Sequence, residues 1–267
     1  MAKKRRKASP KKRVRRKRTD KESVRIKRLA IGLLILAFLG AALTFAYFKY
    51  WKTEPNKFDS DKYVVRGIDV SHHQPVLDWS VVAGKNNITF AYIKATEGLT
   101  HTDRNYAENY VGAQKAGVLI GAYHFYTFGV SGKEQAKHFI KHAKSGSGDL
   151  IPVIDVEHSK SNPHSKDSTF NASVKNELKH LEMALYEHYG VRPMIYTNKE
   201  CYKLYVKDVL PNNYIWICDL HREPGDDIKN WRIWQFSHTG KLSGVGEKID
   251  LNYYRYSFRE FRELLLP

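Results

Sequence analysis

The stretch 151–158, IPVIDVEH, places two carboxylates two residues apart at the end of an apolar run. Val153, Ile154 and Val156 are β-branched and favour a strand. Strand side chains alternate faces, so Asp155 and Glu157 point the same way. Their Cβ atoms then lie about 6–7 Å apart. Like charges at that spacing push one pKa up, which keeps an acid protonated near neutral pH. A protonated acid beside a charged partner is equipment for cleaving a glycosidic bond. A solvated strand end, or an acid paired with a buried Lys or His, uses the same residue types. Other positions have to separate these readings.

Short apolar runs alternate with helical patterns from residue 63 onward, which predicts βα units of an α/β barrel. Strands are expected at 64–70, 89–95, 118–125, 150–157, 192–197, 214–218, 232–236 and 248–251. Helices are expected at 78–84, 103–116, 133–144, 170–189, 199–206 and 257–265. Asp78 suits an N-cap and Gly117 a helix C-terminus. Val174, Leu178, Leu181 and Leu185 form an apolar stripe at helical spacing. The last three strands follow one another with little or no helix between them. In a parallel barrel the C-terminal strand ends share one mouth, where active sites sit. The polar residues expected there are Asp69, Glu97, Tyr123 with His124, Asp155 with Glu157, Tyr196, Gln235 and Asp250. Taken singly, His124 reads as a core histidine and Asp69 as a helix cap. Several acids converging on one mouth would repel each other without a substrate site that uses them.

There is no Walker loop, no GxGxxG after a strand, no HExxH and no GxSxG. Phosphoryl transfer, dinucleotide chemistry and acyl transfer lose support accordingly. His72 and His73 match no metal-ligand spacing and read as loop residues. Cys201 and Cys218 have no CxxC or zinc-like spacing and are expected as two buried thiols. No metal or organic cofactor is required.

The net charge of +17 over 267 residues is unevenly placed. Residues 1–28 hold 16 Lys or Arg against two acids, whereas the other 239 hold 29 basic against 26 acidic groups. The body is nearly balanced, so a nucleic-acid partner is not expected. Residues 1–28 read as a basic cytoplasmic tail with too few apolar residues to fold alone. The uncharged run 29–47, LAIGLLILAFLGAALTFAY, is long enough to cross a bilayer. With Phe48 it makes a signal-anchor at 29–48, and the preceding cations keep the N-terminus in the cytoplasm. A cleaved signal peptide is the competing reading, but the apolar run is long and lacks a convincing Ala-x-Ala site. Tyr47, Phe48, Tyr50 and Trp51 suit the far interface. Residues 49–62 read as a polar linker, and 63–267 as the extracytoplasmic domain of a single-pass, monomeric membrane protein.

Eight segments, in order, carry a resemblance: RGIDVSHHQ, FAYIKATEG, GAYHFYTF, PVIDVEHS, PMIYTN, IWICDL, WRIWQFS and IDLNYY. Over 64–254 the sequence resembles glycoside hydrolase family 25, the Chalaropsis-type lysozymes. The resemblance implies a flattened (β/α)5(β)3 barrel. It also implies N-acetylmuramidase activity on peptidoglycan glycan strands, at the β-1,4 bond after N-acetylmuramic acid. It makes Glu157 the general acid, Asp155 its partner on the same strand, and Asp69 and Asp250 supporting acids. Tyr123 and Tyr196 would line the sugar site; Glu97, Gln235 and His124 are expected as further substrate contacts from their places at the strand ends. Asp155 would orient the substrate's 2-acetamido group as internal nucleophile, and an inverting route through water stays open. Cys218 and Asp219 depart from the family pattern, which leaves the local sugar contacts open.

Overall fold

A computed structural model describes residues 12–51, 56–58 and 61–267. The expectations for residues 1–11 and for linker residues 52–55 and 59–60 lie outside the described residues. The chain divides into two units, Met1–Thr53 and Glu54–Pro267.

The first unit holds one 40-residue helix, α1 (Lys12–Trp51), about 60 Å long at 1.5 Å per residue. Its segment Asp20–Tyr47 is long and apolar enough to cross a membrane. Leu33, Leu36 and Phe38 stay exposed along it. The basic residues from Lys12 onward are helical, where the sequence pointed to a tail that could not fold alone. Lys and Arg are good helix formers, and extending a helix is far easier than nucleating one. The apolar run supplies the nucleus.

The second unit begins with β1 (Arg66–Val70), α2 (Trp79–Asn86), β2 (Phe90–Glu97) and β3 (His101–Thr102). It continues through α3 (Tyr106–Lys115), β4 (Leu119–Phe125), α4 (Gly132–His142), β5 (Val153–Val156) and α5 (Ser168–Tyr189). Then come β6 (Met194–Asn198), α6 (Lys199–Cys201) running into a π turn at Tyr202–Val206, and β7 (Ile215–Cys218). The last elements are β8 (Trp231–Gly240), β9 (Ile249–Tyr254) and α7 (Phe258–Phe261). The sheet order is β1-β9-β8-β7-β6-β5-β4-β2-β3, and β1 also pairs with β2. Eight of the described strands therefore close into a barrel, with β3 a two-residue hairpin on the end of β2. Helices follow β1, β2, β4, β5 and β6, while none separates β7 from β8 or β8 from β9. This is the (β/α)5(β)3 arrangement.

Capping is visible in the sequence and in the fold. Asp78 accepts a hydrogen bond from the Val81 amide at the start of α2. Asp167 does the same for Thr169 and Phe170 on α5, which ends at Gly190 in the left-handed region. The predicted stripe Val174, Leu178, Leu181 and Leu185 is fully buried against the barrel. Inside, Phe90, Tyr92, Met194, Trp216 and Tyr254 fill the floor, closed from below by Phe261, Leu264 and Leu266.

Two features differ from the sequence reading. The last strand is antiparallel to both neighbours, β8 and β1, so its first residues, not its last, reach the mouth. The linker also ends earlier than residue 62. The Asn56 carbonyl accepts from the Lys241 amide at 2.8 Å. Phe58 packs edge-on against Phe236 and Tyr253, and Tyr63 stacks on Tyr253. These aromatics cover the outer wall of β8 and β9, which has no helix to cover it. Burial of that apolar wall favours the covered state.

Candidate active site

A cavity of about 320 Å³ opens at the mouth of the barrel. Asp69, Tyr123, Asp155, Glu157, Tyr196, Gln235 and Asp250, all expected there, line it. Alternation delivers most of them: Asp155 and Glu157 share a face because they are two apart. Asp250 arrives by a different route, as the second residue of the antiparallel β9 and the cross-strand partner of Asp69.

Burial controls the electrostatics. Glu157 is raised to about 7, chiefly by burial and then by the charge of Asp69, with Lys94 pulling the other way. Asp155 is held well above the usual carboxylate range by burial and by Glu157. Its Oδ1 has no hydrogen-bond partner among the described residues. Asp69 is also raised by burial, opposed by amide donors from Asn252 and Gln235. Asp155 and Glu157 repel one another, as their spacing predicted, and Asp69 adds its charge to both.

Two expected contacts fall elsewhere. His124 is fully buried on the outer side of β4 and does not reach the cavity. Its ring nitrogens sit 2.7 Å from the Thr96 hydroxyl and 3.1 Å from the Gln135 carbonyl oxygen. Burial pushes it down to about 3, so it is neutral. Neighbouring strand residues face opposite sides, so Tyr123 and His124 could not both point inward. Glu97 is not part of the cavity wall. Its carboxylate binds the ammonium of Lys94 at 2.6 Å.

Lys94 itself lines the cavity and was not singled out from the sequence. A lysine inside the apolar run FAYIKATE is the signal that marks it, since a lone cation there needs a partner. An irregularity between Lys94 and Thr96 shifts the register of β2 against β4. Alternation from Phe90 and Tyr92 already points Lys94 into the cavity, and the bulge after it turns Thr96 outward to His124. Ser71, His73 and Gln74 from the loop after β1, with Phe125, Trp216 and His238, complete the wall. Asn162, fully buried, was also missed. Its side chain takes the Phe128 amide at 2.8 Å and gives to the carbonyls of Tyr126 at 2.7 Å and Glu157 at 3.3 Å. It thereby ties the loops after β4 and β5 and fixes the backbone of Glu157. Among the described residues no group of three or more His, Cys, Asp or Glu is placed to hold a metal ion.

A buried acid protonated near neutrality, neighbouring carboxylates and aromatic walls can protonate a leaving oxygen and stabilise a cationic transition state. The model for "Glycosyl hydrolases family 25" matches residues 68–245. The chain belongs to that family. Lysozyme M1 of Streptomyces globisporus is 31% identical over 206 residues, covering 72% of this chain and 68% of the relative. The N,O-diacetylmuramidase of Chalaropsis sp is 34% identical over 141 residues, covering 50% of this chain and 66% of that protein. The solved structure of a family 25 glycosyl hydrolase from Bacillus anthracis superposes with a TM-score of 0.71. It is 35% identical, and the match covers 79% of this chain and 98% of that one. Membership of family 25 makes this protein a glycoside hydrolase.

Proposed function

We propose that this family 25 hydrolase is a muramidase, cutting the β-1,4 bond between N-acetylmuramic acid and N-acetylglucosamine in peptidoglycan. The observation that carries the reading is Glu157 raised to about 7 beside Asp155, whose Oδ1 has no partner among the described residues. Glu157 gives its proton to the leaving glycosidic oxygen. The working protonation state has Glu157 neutral and Asp155 ionised, with Lys94 close enough to favour the ionised partner. The unpartnered Oδ1 of Asp155 suits the N–H of the substrate's 2-acetamido group, whose oxygen then attacks the anomeric carbon. Asp69 and Asp250 supply negative charge at the same mouth. Tyr123 and Tyr196 form the aromatic wall for sugar rings, and Gln235 joins them there.

Residues 29–48 hold the enzyme in the membrane with the N-terminus in the cytoplasm, so the barrel meets the wall on the outer side. The apolar helix and the cations before it support that topology.

The test is digestion of purified cell walls by the full chain in detergent, with the muropeptides read by mass spectrometry. Products ending in reducing N-acetylmuramic acid are expected. Products ending in reducing N-acetylglucosamine overturn the bond assignment. Proton NMR of the first-formed anomer is expected to show retention, and an initially inverted product rules out the acetamido route.

A further inference from the structure

Asp69 does not hold its position by strand geometry alone. Its Oδ2 accepts two amide N–H groups, from Asn252 at 2.7 Å and from Gln235 at 2.9 Å. Asn252 and Gln235 are direct cross-strand partners on β9 and β8. Each amide is in turn oriented by an aromatic donor. The Trp216 indole N–H gives to the Asn252 Oδ1 at 2.8 Å. An indole N–H can only donate, so Asn252 must present its oxygen to Trp216 and its NH₂ to Asp69. The Tyr196 hydroxyl gives to the Gln235 Oε1 at 2.7 Å, and the His238 Nε2 lies 2.8 Å from the same oxygen. All three of Asp69, Asn252 and Gln235 are buried, Asn252 completely.

We infer that Asn252, together with Gln235, is a positioning residue that fixes Asp69 as the ionised, immobile charge of the active site. The inference rests on the muramidase reading and deepens it. Two N–H donors on one oxygen favour the carboxylate form and select one rotamer. The charge so fixed is one that, with burial, raises Glu157. The amide pair therefore acts on the acid through Asp69, without touching the reacting bond.

Other groups face Asp69 and bear on its charge. Asp250 on β9 hydrogen-bonds it, and His238 on β8 opposes its rise. Asp155 on β5 and Glu157 just beyond feel its charge, as do Tyr123 on β4, Tyr196 on β6 and Cys218 on β7. Lys94 on β2 is the cation that acts on Asp155 and Glu157. Within this ring Asn252 and Gln235 are the amide donors to Asp69 Oδ2.

The experiment measures kcat/KM against pH on purified peptidoglycan for the full chain and for Asn252→Leu. With one donor gone, Asp69 takes up a proton more readily and Glu157 loses its charged neighbour. The alkaline limb is expected to move down by about half a unit. The ratio of variant to parent activity then falls about threefold between pH about 5 and about 8. A ratio that stays flat across that range, whatever the overall loss, overturns the inference and leaves Asn252 a structural residue. Gln235→Met removes the other donor and must displace the limb in the same direction, which serves if Asn252→Leu does not fold. Trp216→Phe keeps Asn252 but frees its orientation, and is expected to give a smaller displacement of the same sign. Failure of the parent chain to release muropeptides would instead count against the muramidase reading, so the two failures are distinguishable.

Discussion

Two buried polar clusters sit on opposite sides of the barrel wall formed by β2, β4 and β5. On the outer side, Thr96, His124 and Gln135 satisfy one another and neighbouring backbone groups. On the inner side, Asp69, Asp155 and Glu157 crowd like charges together and leave an oxygen without a partner among the described residues. Both clusters are buried and both contain titratable groups. Only the second retains an electrostatic cost that a fold gains nothing from. Incomplete compensation, not burial or polarity, is what separates a working site from a polar core.

Four substitutions or conditions test that contrast. Glu157→Gln should have the largest effect, lowering wall hydrolysis by about 10²–10⁴-fold in a turbidity assay while circular dichroism stays unchanged. Asp155→Asn should lower hydrolysis by about 10²-fold and also raise the stability by about 1 kcal/mol, because an uncompensated charge leaves the interior. An Asp155→Asn variant that melts lower than its parent would break the comparison. Gln135→Leu, on the outer side, should reverse the pattern. It strands the His124 ring and the Thr127 amide, costing about 1–3 kcal/mol of stability, while kcat in the folded enzyme stays within about twofold.

The smallest effect concerns pH. A glutamate in the unfolded chain titrates near 4.5, and burial raises Glu157 to about 7 in the folded chain. Between those limits the folded state binds a proton that the unfolded chain does not. Its contribution to stability is complete below about 4.5 and is lost as pH rises through about 7. Melting temperatures should therefore drop more from pH about 5 to about 8 in the parent than in Glu157→Gln, by about 2–4 °C.

Much of this was legible before the fold. Strand ends bearing acids, and the i, i+2 spacing of Asp155 and Glu157, already located the mouth. The direction of β9 was not legible, because alternation has no arrow and the expected run 248–251 was too short to show its pairing. Asp250 was thus placed at the mouth for the wrong reason. His124 was misassigned because it adjoins Tyr123, although neighbouring strand residues face apart. Lys94, Asn162 and Asn252 act through contacts between segments far apart in sequence. Only closure of the barrel brings Asn252 to Asp69, 183 residues away. The helix through the basic stretch was missed because composition alone does not report what an adjoining helix can nucleate.

The aromatic strap formed by Phe58 and Tyr63 has a practical consequence for anyone cutting the barrel free of the apolar N-terminal helix. A truncation at residue 63 follows the apparent end of the polar stretch, yet it discards Phe58 and uncovers Phe236 and Tyr253. An uncovered aromatic wall on strands without helices invites self-association. Truncation at Glu54, where the compact unit begins, keeps the wall covered. The protein so trimmed should stay soluble at concentrations where the shorter one precipitates.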